Sequence, residues 1–501
     1  MTETATLSVT TTEASRRENY HEADVVVVGA GVFGCAMAFA LARQGRSVIL
    51  LERWMHEPDR IVGELLQPGG VAALRKLGLE QALEGIDAIP CVGYNVIHQG
   101  TQVTIPYPYL DGTGRVICTN RGESAEGGAR PQGRGFHHGR FIMQLRRACL
   151  AEPNVTVVET EATKPIRGDH SDQILGVEAL TKDRETGEKR KDYFFGHLTV
   201  VADGYASKFR NEHLGAKPVV RSKFYALELI DCPLPMKGYG HVVIGDTFPV
   251  LLYQIGTHET RALVDVPENL PAASPAAGGV RGYITNVVVP SLPEQLRPCV
   301  LRALEDGRLP RSMPNSWLPP TKQAANGMVV LGDAMNMRHP LTGGGMTVAL
   351  SDVVVLSDLL SPEAVPSLSD VAAVQSAMDR FYWRRKRYTS IINVLAQALY
   401  SLFAANDRQL RALRRGCFSY FTNGVTEEPA GMLGGVLQNP WVLTRHFFTV
   451  AFVAIWVNAV DLVTANPLLG IFMIPVAVVD AVLILWKASV VFLPVAWKEL
   501  M

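Results

Sequence analysis

The stretch Val25-Val26-Val27-Val28-Gly29-Ala30-Gly31-Val32-Phe33-Gly34 decides the fold of this chain. The β-branched run before Gly29 predicts a buried parallel strand, and the alanine- and leucine-rich residues from Cys35 to Arg43 predict a helix, so the glycines lie on the turn between them. Gly29 allows the tight turn, Gly31 lets a pyrophosphate approach the backbone, and Gly34 lets the helix pack on the strand. The phosphate would lie at the positive N-terminus of that helix. The stretch therefore predicts a dinucleotide-binding site.

A second predicted strand, from Ser47 to Leu51, ends in Glu52 and Arg53. An acid roughly 20 residues after the first glycine is the expected partner of an adenosine ribose hydroxyl. The pattern thus has the order that a dinucleotide-binding unit requires: strand, glycine turn, helix, strand and acid. It does not distinguish FAD from NAD.

Two later glycine segments favour FAD. The apolar run Met328 to Leu331 ends at Gly332-Asp333, and Gly343 to Gly345 precede a helical run from Met346 to Leu360; Asp203-Gly204 ends a further strand. An acid at such a strand end can bind ribityl hydroxyls or lie near the pyrophosphate. A glycine-rich helix start can bring backbone N–H groups and the helix dipole to the flavin ring.

Three longer segments carry a family resemblance: residues 59–70 (DRIVGELLQPGG), 136–142 (FHHGRFI) and 332–347 (GDAMNMRHPLTGGGMT). With them the chain resembles squalene monooxygenases (squalene epoxidases) over roughly residues 24 to 500, in the fungal-like form without an N-terminal hydrophobic anchor. The resemblance implies that Gln67 and Tyr94 form a catalytic hydrogen bond beside the flavin. The residues predicted to bind the cofactor, from the glycine pattern and the resemblance together, are Gly29, Gly31, Val32, Phe33, Gly34, Glu52, Arg53, Arg60, Arg140, Asp333, Thr342, Gly345 and Met346.

The resemblance also implies the reaction: FAD-dependent conversion of squalene and O2 to (S)-2,3-epoxysqualene in sterol biosynthesis. Because the single dinucleotide fingerprint is taken by FAD, electrons are expected from NADPH through NADPH-cytochrome P450 reductase. Two alternatives stay open at this point. One is another membrane-associated FAD enzyme, such as an aromatic hydroxylase or a prenyl reductase. The other is a non-enzymatic lipid-binding protein of the same fold, like the Rab GDP-dissociation inhibitors.

Composition excludes several other classes. The chain carries 48 basic and 48 acidic residues, which gives no electrostatic reason to expect nucleic acid. Its 7 cysteines are odd in number and scattered without a C-x-x-C spacing, which indicates neither a disulfide framework nor a zinc site. His137-His138 is the only adjacent histidine pair, and on a strand the two side chains would point to opposite faces, so we expect no metal centre.

Membrane attachment is expected at the C-terminal end. The first 20 residues contain no apolar segment and predict a disordered tail. By contrast, Phe447 to Trp497 contains only three charged residues, Asp461, Asp480 and Lys487, and its uncharged stretch from Leu462 to Val479 is interrupted by two prolines. This favours a monotopic two-helix hairpin that dips into lipid over one clean spanning helix. The basic residues between Arg384 and Arg415 indicate either a solvated helical face or a collar facing anionic lipid.

The sequence therefore predicts an α/β protein with a discontinuous Rossmann-like FAD domain (22–92, 138–215 and 325–365). It also predicts a mainly β substrate domain (93–137 and 216–324), a helical membrane module (366–501) and a disordered tail (1–21). The family resemblance implies the cytosolic face of the endoplasmic reticulum membrane, or lipid droplets, as the location.

Overall fold

The computed structural model describes residues 21–117, 128–168, 171–183, 186–245, 248–305, 307, 309–405, 407–464 and 470–500. The tail expected over residues 1–21 lies outside the described residues, apart from its last position.

The strands fall into two large sheets and two small ones. They are β1 Glu22–Val28, β2 Val48–Glu52, β3 Leu65–Leu66, β4 Ile89–Cys91, β5 Gly93–His98, β6 Thr101–Pro106, β7 Tyr109–Leu110, β8 Val116–Ile117, β9 Gly133–Gly135, β10 Val155–Glu159, β11 Glu161–Arg167, β12 Ile174–Lys182, β13 Lys189–Val201, β14 Val219–Ile230, β15 Gly240–Ile244, β16 Val250–Gln254, β17 Glu259–Pro267, β18 Arg311–Trp317 and β19 Met328–Val330.

The helices are short in the first two thirds of the chain and long in the last third. They are α1 Val32–Ala42, α2 Pro68–Leu77, α3 His138–Ala151, α4 Phe209–His213, α5 Gly279–Tyr283, α6 Val289–Ser291, α7 Arg297–Ala303, α8 Gly345–Leu359, α9 Val371–Phe403, α10 Arg408–Thr422, α11 Glu427–Leu433, α12 Pro440–Thr464 and α13 Ile474–Leu500.

The first large sheet has the strand order β10-β2-β1-β13-β12-β11, with β19 paired to β13. Strands β10, β2, β1, β13 and β19 run parallel, and their carboxyl ends are in register: Val28 lies opposite both Leu51 and Val201, and Val201 lies opposite Val330. Ligands of open parallel sheets bind at this edge. The register therefore brings the turn after β1, Glu52 and the segments after β13 and β19 to one place.

The second large sheet has the order β18-β14-β17-β16-β15-β5-β6 and is antiparallel except between β15 and β5. Alternation of side chains gives it two buried faces. One face, which includes Val243 and Leu252, packs on the short helices α5 to α7. The other, which includes Tyr94 and Leu263, packs towards α9 to α13. These strands come from residues 93–106, 219–267 and 311–317; the domain boundaries themselves stay a prediction.

Helices α12 and α13 form an antiparallel apolar pair. The rings of Phe447 and Phe492 stack at 4.3 Å between centroids. Helix α12 also crosses α10 closely, because a Cβ added at Gly416 would lie 2.5 Å from Ala454. Both α12 and α13 are long and apolar enough to cross a membrane, and large side chains such as Trp456, which is 72% exposed, point outward. The expected pair of apolar helices is therefore present.

The three charged residues in the stretch from Phe447 to Trp497 are each matched by a residue at or near α10. Asp461 Oδ2 lies 3.1 Å from Arg415 Nη1, Lys487 Nζ lies 2.6 Å from Asp407 Oδ2, and Asp480 pairs with Arg408. These ion pairs tie the apolar pair to α10.

The basic run on α9 differs from the solvated helical face that the sequence indicated. Arg384 and Arg387 are exposed, but the side chains of Arg385 and Lys386 are buried. Arg385 lies against the carboxylate of Asp352 on α8, with Nη2 and Oδ2 2.9 Å apart. The interpretation of the whole run as a solvated face or a lipid-facing collar is therefore wrong for Arg385. Its charge is compensated inside the fold.

Candidate active site

The glycine turn after β1 has the geometry that its spacing predicts. Gly29 has a φ of +102°, and a Cβ there would lie 2.5 Å from the carbonyl oxygen of Ala202. A Cβ at Gly34 would lie 1.8 Å from the carbonyl oxygen of Gly29, so only glycine allows α1 to pack this closely. At Gly31 a Cβ would meet no atom within 4 Å. The space beside Gly31 is therefore available to a ligand.

Glu52 lies at the end of β2, where its carboxylate stabilises the turn. Its Oε2 accepts a hydrogen bond from the Ala30 N–H at 2.8 Å and lies 3.4 Å from Arg146 Nη2. The buried Arg146 guanidinium also donates to the carbonyl oxygens of Ala30, Trp54 and His56 at 2.9 to 3.0 Å. Sequence reasoning did not identify Arg146, because it is one of several arginines on α3.

Two carboxylates from the later segments face the same space. Asp333, in the single turn after β19, lies 3.9 Å from Arg60, measured from Oδ2 to Nη2, and its side chain is 39% exposed. Asp203 follows β13; its Oδ2 accepts a hydrogen bond from the Lys208 N–H at 3.0 Å. Burial raises the pKa of Asp203, which hydrogen bonds partly oppose.

Two neighbouring cavities are lined by these residues. A larger cavity of about 620 Å³ is lined by Glu52, Arg53 and Asp203, and an inner cavity of about 210 Å³ is lined by Asp333 and Met346. Gly31, Arg60 and Tyr205 are among the residues that line both. The larger volume lies within the roughly 300–1,000 Å³ of typical small-molecule sites.

The residues present fit a dinucleotide cofactor. The open space at Gly31 is the cradle that a pyrophosphate needs. Buried polar atoms on the cavity wall, Asp203 Oδ1 and Arg60 Nε, have no hydrogen-bond partner among the described residues. Such atoms in a native fold call for a ligand or water.

The predicted cofactor residues are not all at these cavities. Gly29, Gly31, Glu52, Arg53 and Arg60 line the larger cavity. Gly31, Val32, Phe33, Arg60, Asp333, Gly345 and Met346 line the inner cavity.

Three of the predicted cofactor residues line neither the larger nor the inner cavity. Gly34 lies under the turn, against Gly29, and acts through packing. Thr342 is buried and lines a third, smaller cavity. Arg140 is exposed on α3 and lines neither the larger nor the inner cavity, so its contact with the cofactor stays a prediction.

Gln67 and Tyr94 meet at the carbonyl oxygen of Thr342. Gln67 Nε2 donates to it at 2.8 Å and the Tyr94 hydroxyl at 3.3 Å. A third residue, Tyr107, donates its hydroxyl to Gln67 Oε1, and its ring packs edge-on against that of Tyr94 at 5.8 Å. Burial raises the pKa of Tyr94, against hydrogen bonds from Tyr107 and Gln67, so its hydroxyl stays protonated. Tyr107 could not be found from the sequence because it carries no motif.

His137 and His138 begin a helix and are not on the expected strand. His137 caps α3, and His138, its first residue, lies between the cavities with Nδ1 2.8 Å from the carbonyl oxygen of Gly63. Burial, with repulsion from Arg60, lowers the pKa of His138 to about 3, so its ring is neutral. Within the described ranges, no group of three or more histidine, cysteine or acidic side chains is placed to hold a metal ion.

The far wall of the inner cavity is the second sheet. Its side chains include Val242, Leu251 and Leu263, which are apolar. Beyond Tyr94 and Val242 lies the third cavity, of about 40 Å³, whose other walls include Leu399, Phe403 and Phe421 of the helical module. The two cavities share the walls Tyr94, Val242 and Leu341, so a mainly apolar lining, the apolar path, extends from the inner cavity towards α9 and α10.

One buried ion pair borders the inner cavity on its polar side. Arg261 donates from Nε and Nη2 to the two oxygens of Glu64, at 2.9 and 2.8 Å, and Tyr253 donates to Glu64 Oε2 at 3.3 Å. Such a two-pronged pair fixes geometry well. It joins the segment after Arg60 to strands β16 and β17.

The comparisons with known proteins agree with this geometry. A family model described as squalene epoxidase matches residues 195–472, and one described as FAD dependent oxidoreductase matches residues 24–57. The squalene epoxidase of Gibberella zeae is 64% identical over 98% of this chain and 99% of its own. The chain belongs to the squalene epoxidase family.

More distant members of the squalene epoxidase family align along nearly the same length. The squalene monooxygenase of Mus musculus is 41% identical over 95% of this chain and 78% of its own, and the squalene epoxidase of Saccharomyces cerevisiae is 40% identical over 95% and 96%. The predicted family is confirmed. So is the expectation of an FAD-dependent monooxygenase, over the alternatives of another flavoenzyme or a lipid carrier.

Solved structures confirm the predicted fold class. p-Nitrophenol 4-monooxygenase PnpA from Pseudomonas putida covers 82% of this chain and 97% of its own, with a TM-score of 0.62 and 18% identity. PqsL of P. aeruginosa covers 77% and 97%, with a TM-score of 0.61 and 20% identity.

Proposed function

We propose that this chain epoxidises squalene with O2 to give (S)-2,3-epoxysqualene, using FAD that receives electrons from NADPH through NADPH-cytochrome P450 reductase. The observation that carries the proposal is the apolar path from the inner cavity, lined by the flavin segments, to the helical module. A long hydrocarbon with reactive ends needs one polar, cofactor-bearing end of its site and an apolar remainder. The relatives named above are squalene epoxidases or monooxygenases, which supports this substrate.

FAD, once reduced, supplies the chemistry that activates O2 and delivers one oxygen atom. Gly31, Glu52 and Arg60 would hold its dinucleotide part, and Asp333 would hydrogen-bond its ribityl chain or pyrophosphate. The start of α8, at Gly345 and Met346, would face the flavin ring, where N–H groups and the helix dipole favour negative charge.

Gln67 and Tyr94 act together by holding the Thr342 carbonyl and, with it, the segment that leads into α8. Both side chains are buried, so these hydrogen bonds do not exchange with water. Tyr94 remains a neutral donor because burial raises its pKa. A fixed segment keeps the oxygen donor and the alkene at a constant distance, which is the usual source of large rate effects in two-substrate reactions.

The substrate is positioned by shape. Val242, Leu251 and Leu263 offer no hydrogen bond, so the hydrocarbon is held by apolar burial, which contributes about 25 cal/mol per Å². The same walls keep water away from the reacting oxygen. One terminal alkene would lie beside Tyr94, where the inner and third cavities meet, and the rest of the chain would extend towards Phe403.

Helices α12 and α13 give a water-insoluble substrate access from lipid. They expose large apolar side chains. Asp461, Asp480 and Lys487 pair with residues at or near α10 and Arg445 pairs with Glu428, so insertion of the outer face leaves none of these four charges unpaired. We place the protein as a monotopic enzyme at the cytosolic face of the endoplasmic reticulum membrane, with lipid droplets as a second location.

The test uses purified full-length protein in detergent micelles with squalene, NADPH and the reductase. Mass spectrometry should identify 2,3-epoxysqualene, and omission of the reductase should abolish its formation because the chain lacks a second dinucleotide fingerprint. A reduced prenyl product, or equal turnover without the reductase, would refute the proposal.

A further inference from the structure

A buried polar cluster joins the last apolar helix to the flavin segment. Glu499, near the C-terminal end of α13, has no exposed surface, although most of the helix is apolar and many of its large side chains are exposed. Its Oε2 accepts a hydrogen bond from Asn393 Nδ2 on α9 at 2.8 Å. Burying a charged carboxylate costs free energy of folding unless hydrogen bonds or nearby cations compensate its charge.

The hydrogen bonds continue from Asn393 to the cofactor segment. Asn393 Nδ2 lies 3.1 Å from Asn336 Oδ1, which also accepts from Arg338 Nη2 at 3.0 Å. Arg338 lines the inner cavity, and its Nη1 donates to the carbonyl oxygen of Gly345, at the start of α8, at 3.4 Å. Glu499 is therefore connected to the flavin segment through two asparagines and one arginine.

Several cations lie near the Glu499 carboxylate. Burial raises the pKa of Glu499 to about 7, and the hydrogen bond from Asn393 and the charges of Arg385, Arg338 and Lys386 oppose that rise, so the carboxylate is charged above neutral pH. Arg385 is already held by both oxygens of Asp352, Nε to Oδ1 at 3.0 Å and Nη2 to Oδ2 at 2.9 Å. Asp333 also attracts Arg338, but it is partly exposed to the cavity, where water screens it. Glu499 is thus one of three carboxylates that act on Arg338, with Asp333 and Asp352, and hydrogen bonds through Asn393 and Asn336 connect it to that arginine.

We propose that Glu499 is a positioning residue of the flavin site: its carboxylate, brought in by the last apolar helix, orients Arg338 through Asn393 and Asn336 and sets the electrostatic potential at the flavin. The inference rests on the proposed function in one respect, the location of the flavin ring at the inner cavity. Glu499 need not touch the cofactor to act.

The sign of the effect follows from the charge. Reduced flavin is more negative than oxidised flavin, so a nearby negative charge disfavours reduction, and its removal favours it. In a buried site this influence is far less screened than in water. Replacing Glu499 by an uncharged residue should therefore shift the midpoint potential of bound FAD to more positive values.

The experiment is a spectroelectrochemical titration of the flavin in the full-length holoenzyme in detergent micelles, at about pH 8.5, where Glu499 with its pKa of about 7 is charged. Glu499→Gln removes the charge while keeping the volume and an acceptor oxygen, Glu499→Asp restores the charge, and Asp461→Asn is the matched control. Asp461 is a carboxylate of α12 that pairs with Arg415 and has no contact with this cluster. We expect a positive shift for Glu499→Gln and a potential close to wild type for Glu499→Asp and Asp461→Asn.

Three outcomes would overturn the inference: an unchanged potential in Glu499→Gln, an equal shift in Asp461→Asn, or failure of Glu499→Gln to fold by far-UV circular dichroism. The last would reduce Glu499 to a structural role. Loss of flavin from a folded Glu499→Gln protein, with retention of flavin by Glu499→Asp, would support the inference that the Glu499 charge acts on the flavin site. Product identity plays no part in this readout, so an unexpected product would refute the proposed function and leave the role of Glu499 standing.

Discussion

Replacement of Gly31 by valine separates cofactor binding from folding. Gly31 has φ −88° and ψ −166°, an extended conformation that valine adopts readily. A Cβ there meets nothing within 4 Å. The side chain would therefore enter the larger and inner cavities, both of which Gly31 lines, without disturbing its neighbours. We expect the stability of the apoprotein to change by no more than about 0.5 kcal/mol.

The expected loss of FAD affinity is large. Valine at this position would keep the pyrophosphate from the N–H groups at the start of α1. A hydrogen bond to a charged group contributes about 1.5–3 kcal/mol, so the loss of two would weaken FAD binding by roughly 10²- to 10⁴-fold.

FAD occupancy of purified protein would be measured by absorbance, affinity by titration of the apoprotein, and stability by thermal melting. Gly34→Ala is the contrasting variant, because its Cβ would lie 1.8 Å from the carbonyl oxygen of Gly29 and should impair folding with or without FAD. Normal FAD affinity in Gly31→Val, or a large drop in the melting temperature of its apoprotein, would refute the reasoning.

Four further predictions test other parts of the account. Asp333→Ala should yield FAD-depleted but folded protein, measured as flavin per polypeptide; full occupancy would exclude its assigned role. Tyr94→Phe and Gln67→Ala should keep FAD and should each lower turnover by ~10²–10³-fold. The double variant should be little worse than either single variant, because both side chains hold the Thr342 carbonyl. Additive losses would show that the two residues act independently. Trp456→Lys with Val482→Lys should lower sedimentation with lipid vesicles at unchanged melting temperature, since both side chains are exposed; undiminished binding would place the contact elsewhere. His138 is neutral in the folded protein because burial lowers its pKa to about 3, whereas in the unfolded chain it protonates near pH 6.5. The free energy of unfolding should therefore fall by about 2 kcal/mol between pH 7 and 5. Urea unfolding of His138→Gln at both pH values should lack this decrease.

The sequence predicted the fold around the proposed cofactor site where local geometry determines it, while the binding roles of the individual residues stay predictions. The roles of Gly29, Gly31 and Gly34 follow from a strand-to-helix turn, and the structure gives each the packing that its role requires. The meeting of Glu52, Asp203 and Asp333 also follows, because parallel strands align their carboxyl ends at one edge.

Residues whose position depends on distant packing were missed or misjudged. Tyr107, which follows β6, reaches Gln67 across 40 residues of sequence, and no local pattern distinguishes it from other tyrosines. Arg385 stands in a run of basic residues that indicates a solvated face, but α9 buries it against Asp352. Arg146, which no motif marks, is buried on α3 against Glu52 of β2. In each case the partner lies in another segment of the chain.

The most direct test of the central claim is an isotope experiment. Purified enzyme, reductase, NADPH and squalene are incubated under isotopically labelled O2, and the product is analysed by mass spectrometry. A flavin monooxygenase places one oxygen atom from O2 in the substrate, so we predict 2,3-epoxysqualene carrying a single labelled oxygen atom. An oxygenated product without label, or consumption of O2 with no epoxide formed, would contradict the account.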